Sequence, residues 1–212
     1  MATTEINKIF ADALKKIGEI ERCIEDAWLE LKKEKWRLLW WHEDELIMPF
    51  YFHVRPCIDK LNEDLGRIQL HIIPQYAPKA SSYARKLKLS NKFPRHLGEK
   101  EFPRTKHVDL GIVAFDLHDF KSRFGKSETT IWHIKHIPLV LLEFKSNDYN
   151  TIVKGMKNDL KKCATIQRMY SGVQRIYFCC LADSRHKPTK ENYENLRVHM
   201  MKEIGIDNLK IC

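Results

Sequence analysis

Long apolar segments are missing from this chain of 212 residues. No run approaches the ~20 apolar residues of a membrane-spanning helix, so we expect no integral membrane protein. The first residues, MATTEINKIF, also lack the continuous apolar stretch of a secretory signal. Glycine and proline are scarce, with eight of each, and 43% of the residues are hydrophobic, which excludes collagen-like and disordered chains. We expect a folded protein with a real core that stays inside a cell, in the cytoplasm.

Recognisable cysteine and glycine motifs are also lacking. The six cysteines form no C-x-x-C pair and match neither a zinc ribbon nor a disulfide scaffold. We therefore interpret them as buried free thiols in a reducing compartment. His133 and His136 have ligand-like spacing, but in a strand this spacing puts them on opposite faces, so we expect no zinc site. Walker and Rossmann fingerprints are absent, which excludes the common nucleotide-binding loops.

Positive charge, in contrast, is in excess. Lys and Arg number 37 against 28 Asp and Glu, a formal net charge of +9. Such a surplus favours a polyanionic partner such as nucleic acid, because cations that displace counterions from phosphates gain affinity. The surplus is concentrated in the basic loop 77–106, a long irregular stretch typical of a functional loop, although a solvated loop without a role is the alternative. The candidate phosphate contacts in it are Lys79, Ser82, Arg85, Lys86, Lys88 and Lys106.

The N-terminal segment 1–39 is dominated by the pattern of one long helix over 4–36. Its apolar residues alternate at intervals of four and three, as in a helix that packs along another helix. Either this seam lies on the chain's own core, or it forms a dimer contact. The seam consists of Ile6, Phe10, Ala13, Ile17, Ile20, Ile24, Ala27 and Leu31.

The remainder, 40–212, alternates between helical and strand patterns. A helix interrupted between Pro49 and Pro56 ends at Gly66, a favourable residue after a helix terminus. The later pattern predicts strands at 67–73 (ending at Pro74), 107–115, 129–145 (one or two strands, broken at Pro138), 173–181 and 208–212, with helices at 149–168 and 190–204. This order predicts an α/β fold with a central sheet flanked by helices.

Three residues of this predicted sheet form the most informative set. Side chains two apart in a strand point to the same side, so Glu143 and Lys145 share a face. If the strand that carries Asp109 pairs with theirs, the two carboxylates lie side by side and repel unless a cation sits between them. Oxygen ligands of this kind suit Mg²⁺ or Mn²⁺, and Lys145 can orient an attacking water and offset developing charge. The set indicates phosphodiester hydrolysis; a salt-bridged strand end without catalysis is the alternative.

The same residues resemble the PD-(D/E)XK nuclease superfamily, which places Asp on the second strand and Glu-x-Lys on the third. The resemblance covers roughly 40–182. Within the superfamily the chain is most similar to archaeal Holliday-junction resolvases, in which a serine also tends to follow the lysine, as in Lys145-Ser146. The resemblance implies a restriction-endonuclease-like core with a central mixed sheet, a homodimer and branched DNA as substrate. It also implies that Asp109 and Glu143 are metal ligands and that Lys145 lies at the attacking water. Length and lysine content are also similar to a superfamily member from archaeal spindle-shaped viruses, which would imply the host cytoplasm.

The resemblance also implies an acidic residue on the first core helix, and Glu43 of the segment Glu43-Asp44-Glu45-Leu46-Ile47 is the candidate. Glu45 and Glu63 are alternatives, since Glu43 and Glu45 lie about 200° apart around a helix and only one can face the metal. The expected activity is that of an Mg²⁺-dependent endodeoxyribonuclease of recombination or repair. A non-catalytic DNA-binding protein with the nuclease fold, a helix-mediated interaction protein and a restriction-type enzyme are the competing hypotheses.

Overall fold

The computed structural model of the protein describes residues 8–34, 43–76, 107–119, 136–147, 149–170, 172–182 and 189–212. The basic loop 77–106, residues 1–7 and His133 lie outside this part of the chain. Within it, the helices and strands are α1 (Ala11–Lys15), α2 (Ile17–Lys33), α3 (Glu43–Leu65), β1 (Ile68–Tyr76), β2 (Val108–Asp116), β3 (His136–Asn147), α4 (Tyr149–Met169), β4 (Arg175–Ala182), α5 (Lys190–Ile204) and β5 (Leu209–Ile211).

The strands form one mixed five-stranded sheet in the order β1-β2-β3-β4-β5. The β1–β2 and β2–β3 pairs are antiparallel, whereas the β3–β4 and β4–β5 pairs are parallel. The predicted α/β fold with a central mixed sheet flanked by helices is therefore confirmed. None of the helices in the described ranges is both long enough and apolar enough to cross a lipid bilayer.

Helices cover both faces of this sheet, and the alternation of strand side chains separates two hydrophobic clusters. Leu110 and Ile112 of β2 belong to the cluster with α1, α2 and α3. Val113 and Phe115 belong to the cluster with α4 and α5. A residue of β2 or β3 thus faces one helical layer or the other according to its position, which decides where each polar side chain of these strands points.

The N-terminal helical segment is interrupted at Lys16, so the expectation of one continuous helix over 4–36 is corrected to α1 and α2. The Lys16 N–H bonds to the carbonyl of Ala13, three residues back, and Gly18 in the next turn weakens the local helical preference. The seam packs on the chain's own α3 and sheet, where Ile20 and Leu31 are fully buried. These buried side chains lie on the chain's own core, so a homodimer would need a different surface.

Prolines interrupt the elements less than the sequence pattern predicts. The predicted break between Pro49 and Pro56 is wrong, because α3 is helical throughout. Each proline removes a backbone donor, but Phe50 and Val54 between them are fully buried and hold the helix against the core. Packing therefore outweighs the local preference.

Two strands likewise continue through proline. The predicted end of the first strand at Pro74 is wrong: β1 continues to Tyr76, and as an edge strand of the described sheet it tolerates a missing N–H. At Pro138 the predicted break is a register shift within β3, where Val113 pairs with Pro138 while Ile112 pairs with Val140.

Cys23 of α2 and Cys57 of α3 form a disulfide, with Cα atoms 5.7 Å apart. The prediction of six free thiols is therefore wrong for this pair, since two helices distant in sequence place the residues side by side. The other four cysteines are free, and Cys163, Cys179 and Cys180 are buried as expected. The disulfide fixes the relative position of α2 and α3.

Candidate active site

Asp109 and Glu143 lie next to each other on the face of the sheet that α4 covers. The β2–β3 register pairs Leu110 with Leu142, so one further step along the antiparallel ladder sets Asp109 opposite Glu143. The Asp109 Oδ2 atom accepts a hydrogen bond of 2.7 Å from the Phe144 N–H. The two carboxyls are close enough for each to affect the pKa of the other. The fold thus brings these two residues together.

Two lysines, Lys145 of β3 and Lys162 of α4, complete the cluster. The Lys162 Nζ atom of α4 lies 3.0 Å from Glu143 Oε1 and 2.9 Å from Asp159 Oδ1, and donates to the His107 carbonyl at 3.2 Å. The Lys145 Nζ atom lies 3.1 Å from Asp159 Oδ2. Asp159 therefore bridges the two ammonium groups, and Lys145 shares the face of Glu143 as the strand alternation requires.

Burial dominates the electrostatics of the two acids. Glu143 is 0% exposed and Asp109 is 9% exposed. Burial, and then the neighbouring Asp109 carboxyl, raise the pKa of Glu143 well above its usual value, although Lys162 acts in the opposite direction. Burial also raises the pKa of Asp109, while the hydrogen bond from Phe144 lowers it in part.

The pKa of Lys162 is also raised, but for a lysine this favours the charged form. Burial alone would lower the pKa of Lys162, but Glu143 and Asp159 outweigh it and raise that pKa. The ammonium is therefore firmly charged. Within the described part of the chain, the other Glu143 oxygen, Oε2, is buried and has no hydrogen-bond partner. A buried acceptor of this kind carries an unmet demand for a donor or a cation.

The carboxylate oxygens of Asp109 and Glu143 are of the type that divalent ions bind. The described residues, however, do not supply a full set of metal ligands. Two adjacent carboxyls with an unpartnered oxygen are donors that Mg²⁺ and Mn²⁺ prefer. No group of three or more His, Cys, Asp and Glu side chains in the described ranges is arranged to hold a metal. Lys162 occupies one side of Glu143. Asp109 and Glu143 fit such an ion as a partial ligand set.

Helix α3 packs on the face of the sheet opposite the two acids, against the residue that follows Glu143. Phe50 packs edge-on against Phe144, with ring centroids 5.0 Å apart, and Glu43 begins the helix two turns before it. The side chains of Glu43 and Glu45 lie outside what the structure describes. Glu63 is exposed and precedes β1, whose first residue pairs with Asp116 at the far end of β2 from Asp109. The fold therefore places the third alternative, Glu63, away from the cluster.

The predicted phosphate contacts of the basic loop, Lys79, Ser82, Arg85, Lys86, Lys88 and Lys106, all lie outside the described residues. Helix α4 does present exposed Lys154 and Lys161. Lys157 instead pairs with Glu203 of α5, and Lys162 turns inward. The long side chain of Lys162 thus reaches from α4 toward the sheet and ends at Glu143, rather than in solvent.

Sequence reasoning missed Asp159 and Lys162. The available signal was their spacing of three residues on the helix that follows Glu-x-Lys, since such pairs are neighbours on a helix surface. Each residue also directly precedes a buried one, Leu160 and Cys163, which places the pair at the border of the apolar face. Charged residues at that border can reach inward as well as outward.

No protein-family model, no curated protein and no solved structure matches this chain. What the fold itself defines is an α/β protein with a five-stranded mixed sheet and helices on both faces. What the site defines is a buried pair of carboxyls neutralised by lysines.

Proposed function

We propose that this protein is a metal-dependent endodeoxyribonuclease with a restriction-endonuclease-like core, in which Asp109 and Glu143 hold Mg²⁺ or Mn²⁺. The observation that carries the proposal is the position of two buried carboxyls at neighbouring positions of the paired strands β2 and β3, with Glu143 Oε2 unpartnered among the described residues. Two adjacent carboxylates in a low-dielectric site repel each other unless a cation lies between them, which indicates a position for a doubly charged ion. Such an ion, when bound, supplies Lewis acidity toward a phosphoryl oxygen.

The lysines of the cluster have the chemistry that phosphodiester hydrolysis requires. Lys145, on the face of Glu143, orients the attacking water and offsets the negative charge that develops on the phosphate. The net charge of +9 supports a polyanionic substrate. The basic loop and exposed Lys154 would bind backbone phosphates, which gives affinity without base readout. We propose that the activity is intracellular, where such a substrate is found.

Glu143→Gln provides the direct test of this activity. The substitution keeps the side-chain shape but removes a ligand charge, so we expect Mg²⁺-dependent cleavage to fall by at least about a hundredfold. Supercoiled plasmid and a four-way junction, each with Mg²⁺ or Mn²⁺, measure nicking and branch preference. Glu30→Gln is the matched control, because Glu30 belongs to a second Glu-x-Lys triplet on α2 and is exposed. Equal cleavage by wild type and Glu143→Gln would refute the assignment.

Branched substrates and a homodimer are further parts of this proposal, taken from the resemblance to junction resolvases. Two active sites held at a fixed spacing would favour a branch over linear duplex. Sedimentation equilibrium measures the assembly state, and competition between junction and linear duplex measures the preference. A monomer that cleaves both substrates equally would remove the junction-specific part and leave the nuclease.

One observation favours a second function, a DNA-binding protein without catalysis. Lys162 already neutralises part of the acidic pair, so the cluster can exist as a closed ionic network. In this case DNA binding weakens with salt, since counterion release supplies the affinity, and added Mg²⁺ produces no cleavage. The plasmid assay described above separates the two functions.

A further inference from the structure

Lys162 occupies a position beside the acidic pair that a divalent ion would also need. Its Nζ atom lies 3.0 Å from Glu143 Oε1. A Mg²⁺ ion binds carboxylate oxygens at about 2.1 Å, so an ammonium in contact with the same carboxylate competes with it for both space and charge. The Glu143 carboxyl therefore has two possible cationic partners, one of them built into α4.

A second carboxylate, that of Asp159, can hold the Lys162 ammonium when Glu143 does not. Asp159, one turn earlier on α4, lies 2.9 Å from the same Nζ atom, and its side chain is 16% exposed whereas that of Glu143 is 0% exposed. Lys162 can release Glu143 and keep its bond to Asp159 with a change of side-chain rotamer. The ammonium is thus held between a deep carboxylate and an outer one.

The same arrangement satisfies the charges when no metal is bound. Two buried carboxyls without a cation are costly, because burial and mutual repulsion both disfavour their ionised forms. Lys162 lowers this free-energy cost for Glu143. Lys145 forms an ion pair with the other oxygen of Asp159. The cluster is therefore organised before a divalent ion arrives.

We propose that Lys162 is an internal counter-ion that competes with the divalent ion for Glu143, and that Asp159 receives its ammonium when the ion binds. This inference rests on the proposed metal-dependent function and adds a residue pair that sets metal affinity. Lys162 and Asp159 act here as positioning residues, since they act through the ligand carboxylate of Glu143 and through Lys145.

Metal affinity measured without DNA tests the inference directly. In Lys162→Met the competitor is lost, so we expect calorimetric titration with Mn²⁺ alone to show affinity about tenfold tighter than wild type or more, within the usual range of coupling between sites. Lys161→Met is the matched control, because it removes the same charge from an exposed neighbouring position. We expect its affinity to stay within about twofold of wild type, as for screened surface charges.

Asp159→Asn provides the opposite test. Without the outer carboxylate, Lys162 keeps Glu143 as its charged partner, so Mn²⁺ affinity falls by at least about threefold. This fall must largely disappear when Asp159→Asn is combined with Lys162→Met, because the effect acts through Lys162. If Lys162→Met does not fold, as circular dichroism would show, the Asp159→Asn result decides: unchanged or tighter affinity overturns the inference.

The outcomes separate this inference from the nuclease proposal. Wild type that binds Mn²⁺, with Lys162→Met unchanged or weaker, overturns the counter-ion role and leaves the nuclease standing. An equal gain in Lys161→Met also overturns it, since the gain is then a general charge effect. Binding by Lys162→Met alone supports the competition. Absence of binding by both proteins overturns the inference together with the metal site itself.

Discussion

Two buried aspartates at opposite ends of β2 show how neighbours decide the behaviour of a carboxyl. Asp116 accepts a 2.7 Å hydrogen bond from Arg67 Nε, and this partner lowers the pKa of Asp116 although burial opposes the shift. Asp109 has no arginine partner of this kind among the described residues, and burial raises its pKa. Asp116 is therefore a structural anion, whereas Asp109 is held in a site that disfavours its charge.

Asp116→Asn should lower stability in a pH-dependent way. The folded-state pKa of Asp116 lies below its ordinary value of 3.8, so its stabilisation is present above that pH and is lost as pH falls through the lowered pKa. We expect a loss of about 1 kcal/mol at pH 7, a modest value because solvent screens the half-exposed Arg67. Urea unfolding at pH 7 and near pH 2 measures it.

The control for this prediction is Asp12→Asn, which removes an exposed aspartate paired with Lys15 on the surface. We expect it to change the free energy of unfolding by less than about 0.5 kcal/mol at either pH. A difference between wild type and Asp116→Asn that persists unchanged at low pH would contradict the ionic explanation.

The free cysteines should differ in reactivity. A hydrogen bond with Cys179 lowers the pKa of Cys212, with burial opposing the shift, and Cys212 is partly exposed. Burial raises the pKa of Cys180 to about 12, and also raises the pKa of buried Cys163. Because the thiolate is the nucleophile, we expect iodoacetamide at pH 7.5 to label Cys212 first in the native protein. Peptide mass spectrometry over time measures this order, and labelling of Cys163 at the same rate would contradict it.

At the scale of helices and strands, the link between α2 and α3 is the feature with the clearest energetic consequence. The Cys23–Cys57 disulfide closes a loop with a sequence separation of 34. Such a cross-link restricts the unfolded chain, and its effect on stability grows slowly with loop length. The two helices together carry much of the hydrophobic cluster on one face of the sheet.

Replacing both of these cysteines by serine should lower the free energy of unfolding by about 2–4 kcal/mol. Denaturant unfolding with and without dithiothreitol measures the change. Reductant should lower the stability of wild type and leave the double variant unaffected. Cys212→Ser serves as the control, because it removes a free, partly exposed thiol. A double variant as stable as oxidised wild type would show that the disulfide contributes nothing.

Elements with strong local signals were predictable from the sequence. Helix α5 spans Lys190–Ile204 as predicted, with a capping box at Thr189 and Asn192 and left-handed Gly205 at its end. The prolines of α3, β1 and β3 were misleading, because packing against the core outweighs the local cost. The disulfide was unpredictable for a related reason, since it depends on the packing of two helices rather than on any spacing in the sequence.

Across the whole molecule, the candidate site forms where three elements meet at one end of the sheet. Strand alternation sets Glu143 and Lys145 on one face, and this could be predicted from the sequence. Pairing of β2 with β3 places Asp109 beside them. The sequence predicted this position only on the condition that the two strands pair. The inward turn of Lys162 could not be predicted, because a lysine at the border of an amphipathic helix reaches either solvent or the core.

The central claim is that Asp109 and Glu143 together hold a divalent ion beneath α4. Crystals grown with Mn²⁺ and measured at its absorption edge test it most directly. We predict an anomalous peak between the two carboxyls, about 2.0–2.3 Å from an oxygen of each, with the Lys162 ammonium moved from Glu143 onto Asp159. A structure at millimolar Mn²⁺ with no peak there and the Lys162–Glu143 contact intact would contradict the account.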